Sequence, residues 1–404
     1  MVSGLELKRR FAIHLARAAA GATFALLAGT SPADQPVFTD GEIKIILSHG
    51  PWPTFAPPDP TNRVSGQADA IELGTRLFFD QRLSAKGTVA CASCHVPERN
   101  WTDNLRRGVG MREVDRNTPT LMNLLASRWY GWSGASDSLW SQSLRPILDP
   151  RELAATPRHV AQLVRNDEQL FCRYRKAFGT PPSASDDEAV FVDVGKALAA
   201  FQETLISGRT PFDRFRDALA KAERPPRETY SEPAQRGLKI FIGKGGCTTC
   251  HSGPNFTGGE FFRTGLSRFA PRGQADPGRQ AEIPQLMKSR FNLLGRYNDD
   301  KSGASALRTR EAALEKAGFG EFKVPSLRNL ILTAPYGRDG GVETLAEVVR
   351  HYAALDPVAL HAKDGRPAKP LNLTPREQTD LVVFLESLST FSNPWRPDDG
   401  GQCH

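Results

Sequence analysis

The stretch CASCH at residues 91–95 is repeated as CTTCH at residues 247–251. In each copy two thiols stand one helical turn apart and a histidine follows them, which is the attachment pattern of c-type haem. The thiols add to the vinyl groups of the haem, and the histidine reaches the iron as its proximal ligand. The sequence therefore predicts two covalently bound haem c groups. The residues that would hold them are Cys91, Cys94 and His95 in the first motif and Cys247, Cys250 and His251 in the second.

Two other kinds of site use a C-x-x-C pair. A zinc site would need both pairs to converge on one ion with tetrahedral geometry. The pairs lie far apart in the sequence and each has its own histidine at the same offset, which favours two separate haems. A thioredoxin-like redox pair is disfavoured because no βαβ pattern surrounds either copy.

Residues 1–33 resemble a secretory signal peptide. A positive start at residues 8–10 precedes a small-residue apolar run at residues 18–29, and SPA at residues 31–33 resembles a cleavage site. Arg17 interrupts the apolar part, so an uncleaved membrane anchor is the alternative, although the run is short for a span. Haem attachment takes place outside the cytoplasm. We therefore expect an exported, periplasmic protein without stable membrane insertion.

The remaining composition limits the partners of the chain. It has 404 residues and a formal net charge of +7, but no Lys/Arg-rich run that would indicate nucleic-acid binding. A modestly basic surface suits an acidic partner protein. Cys172 and Cys403 belong to neither motif. They can pair in an oxidising compartment, but Cys403 lies in a Gly/Asp-rich tail and can equally be a free thiol.

The elements around the motifs predict a mainly α fold with two cytochrome c-like domains. A helix over residues 68–80 contains GTRLF at 74–78, and GLKIF at 237–241 repeats that pattern before the second motif. We assign residues 34–225 to an N-terminal domain with the first haem, 226–391 to a C-terminal domain with the second haem, and 392–404 to a tail. Residues 220–233 read as an interdomain linker.

Other segments have weaker signals. Residues 34–65 are Pro-rich and predict an irregular arm, and residues 96–131 and 252–305 predict long loops. Residues 157–178 and 188–206 have helical spacing. Thr344-x-x-Glu347 and the matching pattern at Thr374 are capping boxes, each of which predicts the start of a helix.

An ordered set of stretches resembles the bacterial di-haem cytochrome c peroxidase family, including its MauG-like branch. The resemblance extends over residues 73–388. The stretches are LFFDQRLS at 77–84, CASCH at 91–95, NTPTL at 117–121, residues 146–153, FKVPSLRN at 322–329, TAPY at 333–336 and the helix over 344–352.

The resemblance implies two cytochrome c-like domains with a calcium ion between them, a peroxide site at the N-terminal haem and an electron relay at the C-terminal haem. It also implies roles for individual residues. These are Trp132 as the bridge between the haems, Gln142, Pro146 and Glu152 in the distal pocket of the peroxidatic haem, and Asn117 with the carbonyls of Thr333 and Pro335 as calcium ligands.

Several of these residues have simpler interpretations. Glu152 follows Asp149-Pro150 at a spacing that would complete a helix cap, Trp132 can be a core aromatic, and Asn117 can be a turn residue. The matching offsets of Pro146 and Trp132 favour catalysis for Glu152. A carboxylate in a largely apolar pocket can take the proton of peroxide and return it to the leaving oxygen.

The iron ligands separate the branches of the family. Conventional members have a removable distal histidine after the first motif, whereas no histidine lies between His95 and His159 here. We therefore expect a five-coordinate N-terminal haem, with Met111 as a weak ligand in the alternative. The relay haem of conventional members takes a methionine from the helix after TAPY. Tyr352 stands at that position and no methionine follows it, which is the MauG-like pattern; His351 and Met287 are the alternatives.

The sequence thus predicts an exported di-haem c-type peroxidase that reduces hydrogen peroxide with electrons drawn through the second haem from a protein. The MauG-like form of this function uses a high-valent di-haem state to oxidise a partner protein at long range. One alternative is a conventional cytochrome c peroxidase with a small cytochrome or cupredoxin as electron donor. The other, from a different class, is a di-haem electron-transfer protein without peroxide chemistry.

Overall fold

The computed structural model describes residues 38–221, 230–266, 275–314, 318–354, 371–391 and 401–403. The predicted signal peptide at residues 1–33 lies outside the described residues. So do the predicted domain boundary at 225/226, most of the linker and most of the C-terminal tail.

The described residues are mainly helical, as predicted, with a single two-stranded sheet among them. None of the described helices is both long and apolar enough to cross a bilayer. The helices are α1 (Asp40–Ser48), α2 (Ala68–Phe79), α3 (Cys91–Cys94), α4 (Leu139–Leu148), α5 (Pro157–Asn166), α6 (Glu168–Phe178), α7 (Asp187–Glu203), α8 (Pro211–Ala220), α9 (Glu232–Ile242), α10 (Arg279–Lys288), α11 (Leu307–Leu314), α12 (Leu345–Ala353) and α13 (Pro375–Glu386). The strands are β1 (Phe261–Phe262) and β2 (Phe322–Lys323), which pair antiparallel.

Most predicted helices are confirmed, with three differences. The span 157–178 is two helices, because the side chain of Asp167 accepts the N–H groups of Gln169 and Leu170 and starts α6 there. The arm over 34–65 contains α1, which a capping box between Thr39 and Glu42 starts. The loop region 252–305 contains α10. Both predicted capping boxes, at Thr344 and Thr374, are present.

Two hydrophobic cores lie within the compact unit Pro36–His404. The first core is formed by α2, α4, α5, α6 and α7, and Phe291 and Leu293 from the later part of the chain also pack into it. The second core is formed by α8, α9, α12 and α13, and Ile46 of α1 packs into it. Each core contains one of the two C-x-x-C-H motifs at its edge, since Cys91 packs against the first core and Cys247 against the second.

The same helix pair occurs in both cores. A Cβ placed on Gly74 of α2 would stand 2.0 Å from the carbonyl oxygen of Ala197 in α7, and a Cβ on Gly237 of α9 would stand 2.0 Å from that of Asp380 in α13. Only glycine lets the two backbones approach so closely. The phenylalanine four residues later makes an aromatic contact in each pair, Phe78 with Phe201 at 5.1 Å and Phe241 with Phe384 at 4.9 Å. The faint sequence repeat therefore corresponds to a repeated helix–helix contact.

Cys172 of α6 and Cys403 form a disulfide, so the pairing that the sequence left open is present. Two hydrogen bonds hold the end of the chain beside it. Arg173 donates to the carbonyl oxygen of Gly401 at 2.5 Å, and the N–H of Cys403 donates to the side chain of Gln169 at 2.8 Å. The end of the chain is thereby attached to a helix of the first core.

Candidate functional site

The two C-x-x-C-H motifs have the same local geometry. The first forms the short helix α3 and ends at His95, whose N–H donates to the carbonyl of Cys91 at 3.0 Å. The second forms a 3₁₀ turn over Cys247–Thr249, and the N–H of His251 donates to the carbonyl of Cys247 at 2.9 Å. The four motif thiols are not in disulfides. Each motif therefore presents two thiols and one imidazole from a single turn of chain.

A backbone carbonyl orients each histidine. The Nδ1 atom of His95 lies 3.0 Å from the carbonyl oxygen of Trp101, and that of His251 lies 2.9 Å from the carbonyl oxygen of Phe256. Trp101 and Phe256 both have positive φ, 62° and 49°. Burial lowers the pKa of His95, and it lowers the pKa of His251 to about 4. Both imidazoles are thus neutral, and an Nδ1–H bond to the carbonyl leaves Nε2 as the atom able to bind a metal.

The aromatic side chains behind the histidines also correspond. Trp101 contacts Phe78 at 5.7 Å and Phe201 at 5.8 Å. In the second core Phe256 contacts Phe241 at 6.0 Å and Phe384 at 6.3 Å. The residue that orients each histidine is therefore packed against the repeated helix pair. The helix pair fixes the histidine through this packing.

One cavity of about 1760 Å³ is lined by both motifs. A pocket for a drug-sized ligand is usually about 300–1,000 Å³, so this cavity has room for more than one large group. The thiols, the imidazoles and the cavity together fit two covalently attached haems. No three His, Cys, Asp or Glu side chains of the described residues cluster as metal ligands.

Glu152 lies on the cavity wall beside the first motif. Burial is the main reason that its pKa is raised to about 7, and the negative charge of Asp149 adds to the effect. Burial raises the pKa of the Cys91 and Cys94 thiols, and the Glu152 carboxylate lies close enough to add to the effect. An acid with a pKa near neutral can both accept and donate a proton at neutral pH.

The turn that carries Glu152 excludes the helix-cap interpretation. Helix α4 ends at Leu148, and α5 begins only at Pro157 with Thr156 as its cap. Between them the N–H of Leu153 donates to the carbonyl of Pro146 at 3.0 Å, which folds the turn back onto α4. Glu152 is therefore in a turn and not in the first turn of a helix.

A neighbouring loop supports this turn from the other side. The N–H of Met111 donates to the carbonyl of Glu152 at 2.9 Å, and a Cβ on Gly110 would stand 2.6 Å from the Cα of Glu152. Gly110 is thus a site residue that sequence reasoning missed, and its only signal is a glycine in a loop. Met111 packs partly buried against the first core, and it is not among the described residues that line the cavity.

Gln142 and Pro146 line the cavity from α4, the helix that precedes Glu152. The side-chain oxygen of Gln142 is buried and has no hydrogen-bond partner among the described residues. A buried acceptor without a partner is costly unless a ligand supplies the donor. The structure therefore brings Gln142, Pro146 and Glu152 to one wall of the cavity, as the resemblance implies.

Trp132 also lines the cavity and belongs to neither hydrophobic core. Its indole N–H donates to the carbonyl of Asn117 at 2.8 Å, and its own carbonyl accepts the N–H of Lys323 at 2.8 Å. These two bonds come from different parts of the chain. The core-aromatic interpretation of Trp132 is thereby disfavoured.

Tyr352 faces the cavity from α12. Burial raises the pKa of Tyr352 to about 12, a side-chain hydrogen bond with Thr264 opposes this increase, and Cys250 and Cys247 lie close enough to add to it. The ring of His351 instead places Nε2 3.0 Å from the carbonyl oxygen of Thr264. Met287 of α10 is not among the described cavity-lining residues. Of the three ligand candidates, Tyr352 is the one that lies beside the second motif.

The three residues named for calcium, Asn117, Thr333 and Pro335, all line the cavity. The amide of Asn104 donates to the carbonyl of Ala334 at 2.9 Å and so holds the segment that contains Thr333 and Pro335. The amide nitrogen of Asn117 donates to the carbonyl of Leu105 at 2.9 Å. These bonds attach both segments that carry the predicted calcium ligands to residues 104–105. Amide and backbone oxygens of this kind suit calcium.

A second internal repeat was missed in the sequence. NTPTLMN at 117–123 and KVPSLRN at 323–329 share only proline, leucine and asparagine, but their structures correspond. Asn123 and Asn329 have positive φ, 65° and 62°, and their N–H groups donate to Leu205 and Leu388, just after α7 and α13. The proline carbonyl of each segment also accepts a hydrogen bond from a motif histidine. Pro119 accepts from His95, and Pro325 accepts from His251. Asn117 and Lys323 are thus equivalent positions.

The chain is similar to proteins of one known family. The profile of the di-haem cytochrome c peroxidase family matches residues 68–221. The chain is 34% identical over 327 residues to the methylamine utilization protein MauG of Methylorubrum extorquens, covering 79% of this chain and 78% of that protein. It is 30% identical over 385 residues to the cytochrome c551 peroxidase of Nitrosomonas europaea, covering 95% and 92%.

A solved structure has the same fold. The crystal structure of a MauG-like protein associated with microbial copper homeostasis superimposes with a TM-score of 0.61 at 27% identity, covering 86% of this chain and 100% of that chain.

Proposed function

This chain belongs to the di-haem cytochrome c peroxidase family, and on that premise we propose that it reduces hydrogen peroxide at the first motif with electrons drawn through the second motif from a protein. We propose further that residues 1–33 export it to the periplasm. The observation that carries the proposal is the Glu152 carboxyl, which lies on the cavity wall beside the first motif with a pKa raised to about 7.

The reaction defines what the site residues must do. One peroxide takes two electrons and two protons and gives two waters, and the bond that breaks is the O–O bond. When bound, the haems supply the iron at which peroxide is reduced and the redox capacity for two electrons. Glu152 as the carboxylate takes the proton from the peroxide oxygen that will bind, and it returns this proton to the oxygen that leaves as water.

The neighbours of Glu152 position the substrate. The buried side-chain oxygen of Gln142 accepts the second O–H of peroxide and so orients the O–O bond toward Glu152. Pro146 adds an apolar surface without an N–H group. An apolar wall keeps the carboxyl poorly solvated, and this maintains the raised pKa of Glu152.

The roles of the two halves follow from the same reasoning. We assign the first motif and the distal wall of Glu152 to an N-terminal cytochrome c-like domain, and the second motif with Tyr352 to a C-terminal domain. Trp132 lies in the shared cavity and would pass electrons between the two haems. A calcium ion held by Asn117, Thr333 and Pro335 would fix the segment on which Trp132 is anchored.

We place the protein in the MauG-like branch, in which a partner protein is oxidised at long range. The position of Tyr352 beside Cys247 and Cys250 favours this branch, because a tyrosinate stabilises oxidised iron, in contrast to a methionine thioether. The 34% identity to a MauG protein agrees with it. The second candidate, a conventional peroxidase with a small cytochrome or cupredoxin donor, is favoured by the 95% coverage with the cytochrome c551 peroxidase.

A stopped-flow experiment tests the proposal. The purified, fully oxidised holoprotein is mixed with hydrogen peroxide, and the spectra of both haems are followed. A MauG-like enzyme reacts at once and changes the spectra of both haems. A conventional peroxidase reacts only after one haem has been reduced. A protein inert in both states would be an electron-transfer protein, and the peroxidase proposal would then be wrong.

A further inference from the structure

Lys323 is a cation on the cavity wall that has no counter-charge among the described residues. It belongs to β2, and its ammonium donates to the carbonyl of Trp129 at 3.0 Å. No carboxylate of the described residues lies within ion-pair distance of it, and burial alone lowers the pKa of Lys323 to about 8. The side chain is therefore still charged at neutral pH. A partly desolvated charge without a partner is costly.

Three other cations of the wall have carboxylate partners. Arg116 and Arg338 share Asp276, at 2.7 and 3.1 Å. Arg145 lies 3.6 Å from Glu282. Lys323 differs from these cations because, among the described residues, its ammonium has one hydrogen-bond partner, the neutral carbonyl of Trp129. An anion supplied from the cavity would balance its charge.

The internal repeat shows that the fold itself does not need a lysine here. Asn117, an uncharged residue, occupies the equivalent position in the first half of the chain. Its main-chain carbonyl holds the indole of Trp132, and the main-chain N–H of Lys323 holds the carbonyl of Trp132. The backbone thus binds Trp132 at both positions, whereas a charged side chain is present only at the position in the second half.

The position of Lys323 indicates which group the ammonium meets. Two residues later the chain reaches Pro325, whose backbone contributes to the hydrogen bonding of His251. Lys323 therefore lies on the side of the cavity that belongs to the second motif. A haem carries two propionate carboxylates, and a charge-assisted N–H···O bond between ammonium and carboxylate is among the stronger hydrogen bonds.

We propose that the ammonium of Lys323 binds a propionate carboxylate of the second haem. The proposal rests on the assignment of a covalent haem to the second motif. Because the backbone of the same residue holds Trp132, this contact would attach the edge of the second haem to the residue that joins the two haems. Lys323 is then a positioning residue for electron transfer and does not touch peroxide.

The test uses the full-length holoprotein with Lys323→Met and Lys323→Arg. Spectroelectrochemistry gives the midpoint potential of each haem, and resonance Raman spectroscopy gives the propionate bending modes. Lys323→Met should lower the potential of the second haem, because loss of a positive charge beside its carboxylate favours the ferric state. It should also shift a propionate mode. Lys323→Arg, which keeps the charge, should restore both properties toward those of the unaltered protein.

Lys288 provides the matched control. It also lines the cavity, but it is exposed, so Lys288→Met should leave both readouts unchanged. If Lys323→Met retains two haems and changes neither the potential nor the propionate mode, the inference is wrong while the proposed peroxidase function stands. If the second motif holds no haem, both are wrong.

Discussion

The indole N–H of Trp132 donates to the main-chain carbonyl of Asn117 across 2.8 Å. This bond joins the proposed bridge between the haems to the proposed calcium ligand. The opposite end of the residue is held as well, since the carbonyl of Trp132 accepts the N–H of Lys323 at 2.8 Å. Two equivalent segments of an internally repeated chain therefore hold one tryptophan between them.

If Trp132 passes electrons between the haems, Trp132→Phe should uncouple them. The variant keeps an aromatic ring but loses the N–H that binds Asn117. In a stopped-flow experiment, peroxide should still change the spectrum of the first haem, whereas the change at the second haem should be at least about tenfold slower. Simultaneous changes at both haems would contradict the role of Trp132.

Trp129 is the matched control for Trp132. It also lines the cavity, but its ring packs against Arg279 and Phe261 at 4.6 and 6.2 Å. Trp129→Phe should leave the coupling of the two haems unchanged. An equal loss of coupling in both variants would point to a general disturbance of the cavity.

Glu152→Gln should slow the reaction with peroxide by a factor on the order of a hundred or more, because the amide cannot take the proton. Both haems should remain attached with unchanged spectra, because the substitution keeps the backbone bonds of Glu152 to Asp149 and Met111, which hold the turn. An unchanged rate would show that another group moves the proton.

The same carboxyl predicts the pH dependence of the rate. Burial raises the pKa of Glu152 to about 7, and the form that accepts a proton is the carboxylate. The rate should therefore rise with pH and level off above about 7. In Glu152→Gln this rise of the rate with pH should be absent. A profile that is flat from pH 5 to 9 in the unaltered protein would rule out Glu152 as the base.

Tyr352→Phe tests the sixth ligand of the second haem. Loss of the phenolate should change the spectrum of that haem and abolish a long-lived oxidised state after peroxide, while both haems stay attached. Before the substitution the ferric second haem should be six-coordinate and lack the near-infrared band of a methionine ligand. An unchanged spectrum in Tyr352→Phe would remove this residue from the ligand set.

Two neighbours provide the controls for Tyr352. Tyr336 also lines the cavity, and its hydroxyl donates to the carbonyl of Leu330 at 3.0 Å. Tyr336→Phe should therefore leave the spectrum of the second haem unchanged. His351→Gln tests the alternative ligand. A change in the spectrum of the second haem in this variant would identify His351 as the iron ligand.

Gly237→Ala tests the repeated helix contact. Its Cβ would meet the carbonyl oxygen of Asp380 at 2.0 Å and the Cβ of Phe384 at 2.8 Å. We expect a loss of about 1–3 kcal/mol or more in the free energy of unfolding, as for other overpacked cores. Gly41 of α1 has nothing within 4 Å of its Cβ position, so Gly41→Ala should not destabilise. Chemical denaturation of both variants measures the difference.

The haem content can be counted directly. Thioether bonds should keep two haems on the chain after extraction with acidified acetone, and Cys91→Ala and Cys247→Ala should each lose about one. The four motif thiols lie outside disulfides, so each substitution alters one haem motif and breaks no disulfide. A colourless protein that contains zinc would contradict the assignment.

Local features of the fold could be predicted because residue type and spacing encode them. Examples of such local features are the haem motifs, the capping boxes at Thr344 and Thr374, and the glycine–phenylalanine repeat. Helix α1 was missed although its capping box is visible, because the prolines around it suggested an irregular arm. The helical span 157–178 was predicted without its break, because the cap at Asp167 acts within a continuous helical pattern.

Features that depend on long-range contacts could not be predicted. The partner of Cys172 is 231 residues away, and the sequence allows both a bond and a free thiol. The pKa of Glu152 depends on burial by segments distant in sequence, Gly110 among them. The segments 117–123 and 323–329 share only three residue types, which is too few to recognise Asn117 and Lys323 as equivalent without the backbone geometry. The catalytic, calcium and iron-ligand roles stay predictions.

The bond between Cys172 and Cys403 closes more than half of the chain into a covalent ring. His251 and Tyr352 lie inside this ring, and His95 lies outside it. A protease that cuts once between residues 173 and 402 leaves both parts of the chain linked, so the nicked protein runs as one species until a reductant is added. Whether a cut chain stays in one piece therefore depends on whether this disulfide is oxidised or reduced.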